Sequence, residues 1–333
     1  ADVITRITYC GRDGEHLNDL RRLITDCLRE ITGELCDKAE CAGLDITKVT
    51  VGGNTTMSHL FAGYPVMSLA LAPFSPAYTG SLCMSAGEAH LALTADEKRG
   101  ADPDAEVTVL PNIAGHVGGD ITAGIVASGI LDINGRASDP DQLTLFIDIG
   151  TNGEIVLISE DLKFACSTAA GPAFETCETM RGSELIDAVA RMLESGIIDE
   201  TGKLIGNKEE AASIGITQGI IREVQLAKGA IAAGIQLMLK HAGKSEEDIG
   251  QIIVAGAFGN YINKESAVRI GLLPDIPLER IKSVGNAAGA GVSMTLVSRA
   301  EMELAKKIPS LIKHIELAED LDFQDVYLKA LGF

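Results

Sequence analysis

Two apolar segments separated by a short polar turn constrain the fold of this chain more than any other feature. Residues 143–149 (LTLFIDI) and 154–159 (EIVLIS) have the length and composition of buried strands, and residues 150–153 (GTNG) are turn formers. We therefore predict an antiparallel hairpin, which residues 162–168 extend by a third strand. Asp148 interrupts the first apolar run, and burying a carboxylate without a partner is costly. This end of the hairpin is therefore a candidate site.

The rest of the second half alternates between helical and strand patterns. The predicted elements, in order, are helices at 183–195 and 219–242, a strand at 251–255, a helix at 264–270, a strand at 280–284 and a helix at 286–299. Gly243 stops the long second helix. This alternation of strands and helices after three opening strands predicts an α/β fold.

The first half resembles the second half without its three opening strands. Its predicted elements are a helix at 17–34, a strand at 48–51, a helix at 54–61, a strand at 107–110 and a helix at 118–128. We therefore predict two related lobes from a duplicated unit. The predicted limits are 1–135 for the first lobe, 136–299 for the second, and 300–333 for a charged helical tail with a break at Pro309.

Composition excludes several classes of function. The 333-residue chain carries 28 Lys and Arg against 47 Asp and Glu, a net charge of −19 at pH 7, so we predict no nucleic-acid partner. Neither a run of about 18 apolar residues nor a secretory signal occurs, so we predict a cytoplasmic chain with no membrane partner. Of the seven cysteines, Cys36 and Cys41 are the closest pair, and we interpret them as reduced thiols at a helix end.

The turn after Asp148 has the residue types of a phosphate site. Backbone N–H groups of a tight glycine turn can converge on a phosphate oxygen, and a carboxylate at a strand end can hold Mg²⁺ through water. The alternative is an ordinary type I′ hairpin turn, which Asn152 and Gly153 by themselves would favour.

Other glycine-containing segments leave two interpretations open. Residues 256–260 (GAFGN) either let a planar ligand approach the backbone or form a plain strand-to-helix turn. Asp120, which follows two glycines, either caps its helix or orients a nucleophilic water. Residues 52–56 (GGNTT) offer a helix cap at Asn54 and two threonines for polar contacts. The small residues of 285–291 (GNAAGAG) predict a helix packed closely against another helix or backbone.

Several of these segments resemble one known family. The chain is similar to the ATP-dependent reductive activators of corrinoid proteins, within the acetate and sugar kinase/Hsc70/actin superfamily. The matching segments are 53–57 (GNTTM), 146–154 (FIDIGTNGE), 169–175 (AAGPAFE), 226–228 (LAK), 255–262 (AGAFGNYI) and 270–274 (IGLLP). The resemblance implies two RNase H-like lobes of the actin/Hsc70/sugar-kinase type, the first lacking its opening strands.

The resemblance also implies roles for individual residues. Asp120 and Asp148 would be catalytic, Asp148 holding Mg²⁺ through water and Asp120 positioning a water. The implied nucleotide-binding residues are Asp148, Gly150, Thr151, Asn152, Gly153, Gly171, Gly256, Ala257, Phe258, Gly259 and Asn260. The chain departs from the family at Thr176 and Cys177, where the family has glycine after the glutamate of its GPAFE motif.

The implied activity is the reduction of a corrinoid protein from Co(II) to Co(I), driven by ATP, in an anaerobic methyltransferase system such as O-demethylation. Expected cofactors are ATP and Mg²⁺. A [2Fe–2S] cluster, and the electron donor that acts through it, are expected in an N-terminal domain upstream of residue 1. The family's first phosphate loop is absent from the sequence, and Val3, Ile4 and Ile7 already lie on one helical face. We therefore expect a processed or excised fragment that is weak or inactive alone. A homodimer is among the expected partners.

Two other classes of function remain as alternatives. A small-molecule kinase of the same superfamily would phosphorylate a sugar or an acid, and an actin-like protein would assemble under the control of nucleotide. The motifs do not identify the corrinoid protein, so O-demethylase, methylamine and acetyl-CoA pathway systems all remain open.

Overall fold

The computed structural model describes residues 3–13, 15–93, 99–174, 182–206, 211, 213–256 and 261–333. The chain forms two compact units. Unit 1 comprises Ala1–Ala127, Ile133–Gly135 and Ala288–Leu311, and unit 2 comprises Ser128–Asp132, Arg136–Ala287 and Ile312–Phe333. Two units and an α/β composition confirm the predicted fold class. The predicted limits at 135/136 and 299/300 stay predictions.

Strands and helices alternate along most of the described chain. The strands are β1 (Lys48–Val51), β2 (Leu82–Ser85), β3 (Glu106–Val109), β4 (Leu143–Ile149), β5 (Gly153–Ile158), β6 (Lys163–Thr168), β7 (Ile249–Ala255), β8 (Ile281–Gly285) and β9 (Lys313–His314). The helices are α1 (Val3–Cys10), α2 (Glu15–Ala39), α3 (Thr55–Ala62), α4 (Gly119–Ser128), α5 (Gly182–Glu194), α6 (Gln218–Ala242), α7 (Lys264–Arg269), α8 (Ala287–Val297), α9 (Arg299–Leu311) and α10 (Phe323–Lys329).

The sheet of unit 2 has the strand order β8-β7-β4-β5-β6-β9. The predicted hairpins are confirmed, because β4, β5 and β6 pair antiparallel in sequence order while β7 and β8 run parallel to β4. One face of the sheet is covered by a continuous apolar core with α5 and α6. The residues of β4 in this core are Leu143, Leu145, Ile147 and Ile149. Asp148 therefore lies on the opposite face, since side chains alternate along a strand.

Helix α6 lies directly against the hairpin. A methyl group on Gly153 would lie 2.7 Å from Ile231 Cγ1, and one on Gly234 would lie 2.6 Å from Thr168 Cγ2. The helix ends as its sequence predicts, at Gly243 with a left-handed φ of 64°. Glycine on both surfaces lets helix and hairpin approach more closely than any side chain would allow.

The sheet of unit 1 is smaller and has the order β1-β3-β2. Strands β1 and β3 are parallel, as two repeats of a strand-helix pattern predict. Strand β2 pairs antiparallel with β3, and the sequence analysis missed it. Its four residues, LCMS, include no β-branched or aromatic side chain, so they carry little local strand signal. Within residues 15–47 no strand precedes β1.

Helices α4 and α8 pack main chain against main chain. A methyl group on Gly291 would lie 1.9 Å from the Ala123 carbonyl oxygen. The segment after β1 also lies close to α8, since a methyl group on Gly52 would lie 2.6 Å from Val292 Cγ2. The close helix packing predicted for 285–291 is confirmed. Helix α9 continues through Pro309 and ends at Leu311, so the predicted break at the proline is wrong. A proline in the last turn removes one main-chain donor near a terminus where the helix is ending anyway.

The described part of the chain contains no helix that is both long enough and apolar enough to span a lipid bilayer.

Replacing Gly291 by alanine should destabilise the protein, because the added methyl group would collide with the main chain of α4. We expect a loss of about 3 kcal/mol in the free energy of unfolding, measured by urea titration. The matched control is Gly219→Ala in the exposed first turn of α6, where the methyl group would lie 3.6 Å from Thr217 Oγ1. The control should be neutral or more stable by up to about 1 kcal/mol. Equal stability of the two variants would contradict the close packing.

Candidate active site

Three polar side chains form a row across the end of the central strands. Asp148 on β4 pairs with Glu154 on β5, and Glu154 pairs with Ser167 on β6. Directly opposed residues on antiparallel strands share a face, with Cβ atoms about 5 Å apart. The Ser167 hydroxyl donates to Glu154 Oε1 at 3.5 Å. Both carboxylates are partly exposed, so this edge of the sheet presents two adjacent sets of carboxylate oxygens.

The turn beside Asp148 is not the type I′ hairpin that the alternative interpretation required. The last pair of the ladder is Ile149 with Gly153, so the turn has three residues. A type I′ turn needs a left-handed φ at both central residues, and none of Gly150, Asn152 and Gly153 has one. The Gly150 N–H donates to the Asn152 carbonyl at 2.9 Å.

Gly171 is brought to the same turn by a main-chain hydrogen bond. Its N–H donates to the Thr151 carbonyl at 2.7 Å. Gly171 has a φ of 77° and no heavy atom within 4 Å of the position that a side chain would take, so the backbone here is open. The structure therefore joins two segments that are 20 residues apart in the sequence and that both contain predicted nucleotide-binding residues.

Gly256 packs against Asp148 itself. It follows β7, which lies beside β4, and has a φ of 93°. A methyl group there would lie 2.5 Å from Asp148 Oδ1 and 2.6 Å from the Ile149 carbonyl oxygen. Only glycine fits this combination of left-handed backbone and close approach. The remaining predicted residues of this segment, Ala257, Phe258, Gly259 and Asn260, lie outside the described residues, as do Thr176 and Cys177.

Asp120 lies in unit 1, in the first turn of α4. Its Oδ1 accepts a hydrogen bond from the Ile121 N–H at 2.9 Å, while the Asn112 side chain accepts from the Gly119 N–H at 3.2 Å. The buried Asn112 side chain, which lies outside α4, therefore accepts from the first main-chain N–H group of that helix. Asp120 is a first-turn acid, placed where the helix dipole favours negative charge, and not the residue before the helix.

Burial raises the pKa of the Asp120 carboxyl to about 6, although hydrogen bonds from the Ile121 and Asp120 N–H groups lower it. Desolvation disfavours the charged form and outweighs the two donors. A carboxyl with a pKa near 6 is ionised at neutral pH and is a better proton acceptor than an ordinary aspartate.

The segment 52–56 has a structural role in the described contacts. Asn54 caps α3 as predicted, its Oδ1 accepting from the Met57 N–H at 2.9 Å. The Thr55 hydroxyl is buried and donates to the Ala114 carbonyl at 2.7 Å, and Thr56 is also buried. A methyl group on Gly118 would lie 2.6 Å from Asn54 Cα, so the N-termini of α3 and α4 touch.

Two further segments that carried the family resemblance meet each other. Lys228 is 2% exposed, and its Nζ would lie 3.3 Å from a methyl group on Gly271. The ammonium donates to the Gly332 carbonyl and lies 5.4 Å from the centre of the Phe333 ring. Burial lowers the pKa of Lys228 to about 8. These contacts fix the end of the described chain on α6.

Within the described ranges, no three His, Cys, Asp or Glu side chains are grouped as direct metal ligands. A magnesium ion retains several waters and needs only one or two carboxylates, so the donor set of Asp148 and Glu154 fits it. The sequence analysis missed Glu154 as a candidate. Had a three-residue turn been assumed at residues 150–152, the strand register would have pointed to Glu154, because that register pairs Asp148 with Glu154 across the hairpin.

Both parts of the chain match models of known protein families. Residues 1–132 match the RACo middle region, and residues 142–183 and 177–333 match the C-terminal domain of RACo, the ASKHA domain. The corrinoid activation enzyme RamQ of Eubacterium limosum is 32% identical over 98% of this chain and 63% of its own length. The Co(II) methylated amine-specific corrinoid protein reductase of Methanosarcina barkeri is 25% identical over 68% of this chain and 52% of its own length.

A solved structure also matches. A reductive activator for corrinoid, iron-sulfur protein covers 100% of this chain with a TM-score of 0.85 and 32% identity. This chain covers 60% of that structure, so it spans roughly half to two thirds of the relatives it matches.

Replacing Gly256 by alanine should displace the Asp148 carboxylate and weaken the binding of Mg-ATP at least tenfold. The control is Gly196→Ala, because Gly196 also has a left-handed φ, 71°, but no heavy atom within 4 Å of the added methyl group. Both variants should lose about 1 kcal/mol of stability from backbone strain. Titration calorimetry and urea unfolding separate the two effects, and equal affinities in the two variants would refute the contact.

Proposed function

This chain belongs to the RACo family, and we propose that it is the nucleotide-binding part of an enzyme that uses ATP to reduce a corrinoid protein from Co(II) to Co(I). It contains the RACo middle region and the C-terminal ASKHA domain, and an ASKHA domain binds ATP. The observation that carries the proposal is the Asp148–Glu154 pair beside the 150–152 turn, in a chain whose relatives are named as corrinoid activators and reductases.

The residues of unit 2 bind Mg-ATP in this proposal. Asp148 and Glu154 would hold a hydrated Mg²⁺ ion, which would neutralise charge on the phosphates. Main-chain N–H groups of residues 150–153 donate to phosphate oxygens. The open backbone at Gly171 lets the nucleotide approach without a side chain in the way, and the absence of a side chain at Gly256 leaves room for the Asp148 carboxylate.

Asp120 acts on the water that attacks the terminal phosphate. Its ionised carboxylate accepts the proton as the oxygen–phosphorus bond forms, and ADP and phosphate are the products. The raised pKa of this carboxyl supports the assignment, because a stronger base is a more effective proton acceptor at neutral pH.

The energy of ATP serves to make an unfavourable electron transfer possible. For a one-electron step, a gap of roughly 200 mV corresponds to about 5 kcal/mol, which nucleotide binding and hydrolysis can supply. The electron would come from a donor outside this chain, and a [2Fe–2S] cluster in a separate N-terminal domain would carry it. This chain supplies the nucleotide site and the surface that binds the corrinoid protein, and it works in the cytoplasm.

The two alternative functions are less well supported. A small-molecule kinase would need a sugar or acid as phosphoryl acceptor, and an actin-like protein would need to polymerise. The relatives that match most of this chain are corrinoid activators, which favours neither alternative.

Replacing Asp148 by asparagine should weaken the binding of Mg-ATP at least tenfold, because the neutral amide holds the hydrated ion less well. The affinity is measured by titration calorimetry with and without Mg²⁺, and the loss should appear only when Mg²⁺ is present. Asp161→Asn is the control, since Asp161 is exposed at the turn between β5 and β6. An unchanged affinity for Mg-ATP in Asp148→Asn would exclude the metal role.

The chain should bind a corrinoid protein encoded in the same operon, and should bind its Co(II) form more tightly than its methylated form. ATP should change that affinity, because a nucleotide shifts a conformational equilibrium only if it binds the two states differently. Calorimetric titrations with each form of the corrinoid protein, with and without Mg-ATP, provide the measurement. Absence of binding, together with ATP-dependent phosphorylation of a small metabolite, would favour the kinase.

A further inference from the structure

Two cysteines meet at the C-terminal end of α2 in unit 1. Helix α2 ends at Ala39, and the next residue, Glu40, has a left-handed φ of 54°. This conformation turns the chain back on the helix, so that the Cys41 N–H donates to the Cys36 carbonyl at 3.1 Å. This hydrogen-bond pattern brings the side chains of Cys36 and Cys41 to the same end of the helix. The Cys41 side chain acts on the Cys36 thiol, whose pKa it raises.

The two thiols differ in their access to solvent. Cys36 is 6% exposed and therefore buried, whereas Cys41 is exposed to solvent. A solvent-accessible thiol beside a second thiol is the arrangement found in redox-sensitive proteins, where one cysteine reacts with the oxidant and the other resolves the product. A buried thiol without such a neighbour is inert.

We propose that Cys36 and Cys41 form a redox-active dithiol that a low-molecular-weight disulfide, such as oxidised glutathione, converts into an internal disulfide. The pair belongs to a different unit from the Asp148 turn, and neither cysteine has a place in the proposed nucleotide site. The proposal is therefore independent of the proposed function.

The reaction proceeds in two exchanges. The Cys41 thiolate attacks the external disulfide, forms a mixed disulfide and releases one molecule of external thiol. The Cys36 thiol then loses its proton to solvent and attacks Cys41 Sγ as the thiolate, which forms the Cys36–Cys41 bond and releases the second external thiol. The two protein thiols lose two electrons and two protons, and the external disulfide gains both as it becomes two thiols.

The surroundings of Cys36 determine the order of the two steps. Burial raises the pKa of this thiol, and contact with Cys41 and the negative charges of Asp37 and Asp45 raise it further. Cys36 is therefore protonated and shielded from external reagents. Once Cys41 carries the mixed disulfide, Cys36 attacks it from the same helix end, and this intramolecular attack replaces a second bimolecular collision.

The test is to incubate the whole 333-residue chain with oxidised glutathione, quench with acid, alkylate, digest and analyse the peptides by mass spectrometry. In the wild type, the peptide with both residues should be lighter by two hydrogens and should take up no alkylating agent. This product should exceed the Cys41–glutathione adduct at least tenfold. Added dithiothreitol should reverse it.

Two variants identify the attacking and resolving residues. In Cys36→Ser the internal disulfide cannot form, so the Cys41–glutathione adduct should become the main product. Cys41→Ser should leave Cys36 unmodified. Circular dichroism checks that each variant folds, and Cys36→Ala replaces Cys36→Ser if the buried hydroxyl prevents folding. The proposal is overturned if wild-type Cys41 stays reduced, or if it accumulates glutathione to the same extent as exposed Cys27 without forming the internal bond.

Discussion

The close contact between α6 and the β4–β5–β6 hairpins is the interaction on which the candidate site depends. Gly153 lies against Ile231, and Gly234 lies against Thr168, so a side chain at either glycine would push the helix away. With the helix in place, the turn at residues 150–152 is held at one end of a rigid sheet. The Gly171 segment is tied to that turn through Thr151. A loop positioned by rigid elements keeps its main-chain donors in a fixed arrangement.

Glycine also allows close packing in unit 1. Gly118 lies against the main chain of Asn54, and Gly291 lies against the main chain of Ala123. The first contact places the first turns of α3 and α4 side by side, with Asp120 in the first turn of α4, and the second contact holds α8 against α4. Main chain touches main chain at each contact, so even one methyl group has no space. Much of the glycine in this sequence therefore serves packing as well as turn formation.

The two carboxylates of the candidate site lie where β4 and β5 approach their connecting turn. The mid-strand residues of β4 and β5 are completely buried, whereas Asp148 and Glu154 lie where the ladder approaches its turn and side chains reach solvent. Two adjacent carboxylates repel each other unless a cation or a hydrogen-bond donor compensates them. The Ser167 hydroxyl supplies one such donor to Glu154. In the proposed function a hydrated Mg²⁺ ion would add to this compensation and connect the hairpin to the phosphates of a nucleotide.

The sequence by itself determined the hairpin, the order of strands and helices in unit 2, the Asn54 and Gly243 caps and the tight packing of residues 285–291. These features arise from local patterns of apolar residues, caps and glycine that act over a few positions. The three-residue length of the turn decided that Glu154 stands beside Asp148. Tertiary structure alone decided that Gly256 fits against the Asp148 carboxylate and that burial raises the pKa of Asp120. It also formed β2, whose residues have little strand propensity, by pairing them with β3. Each of these results needs segments distant in sequence to come together, and no local pattern encodes that contact.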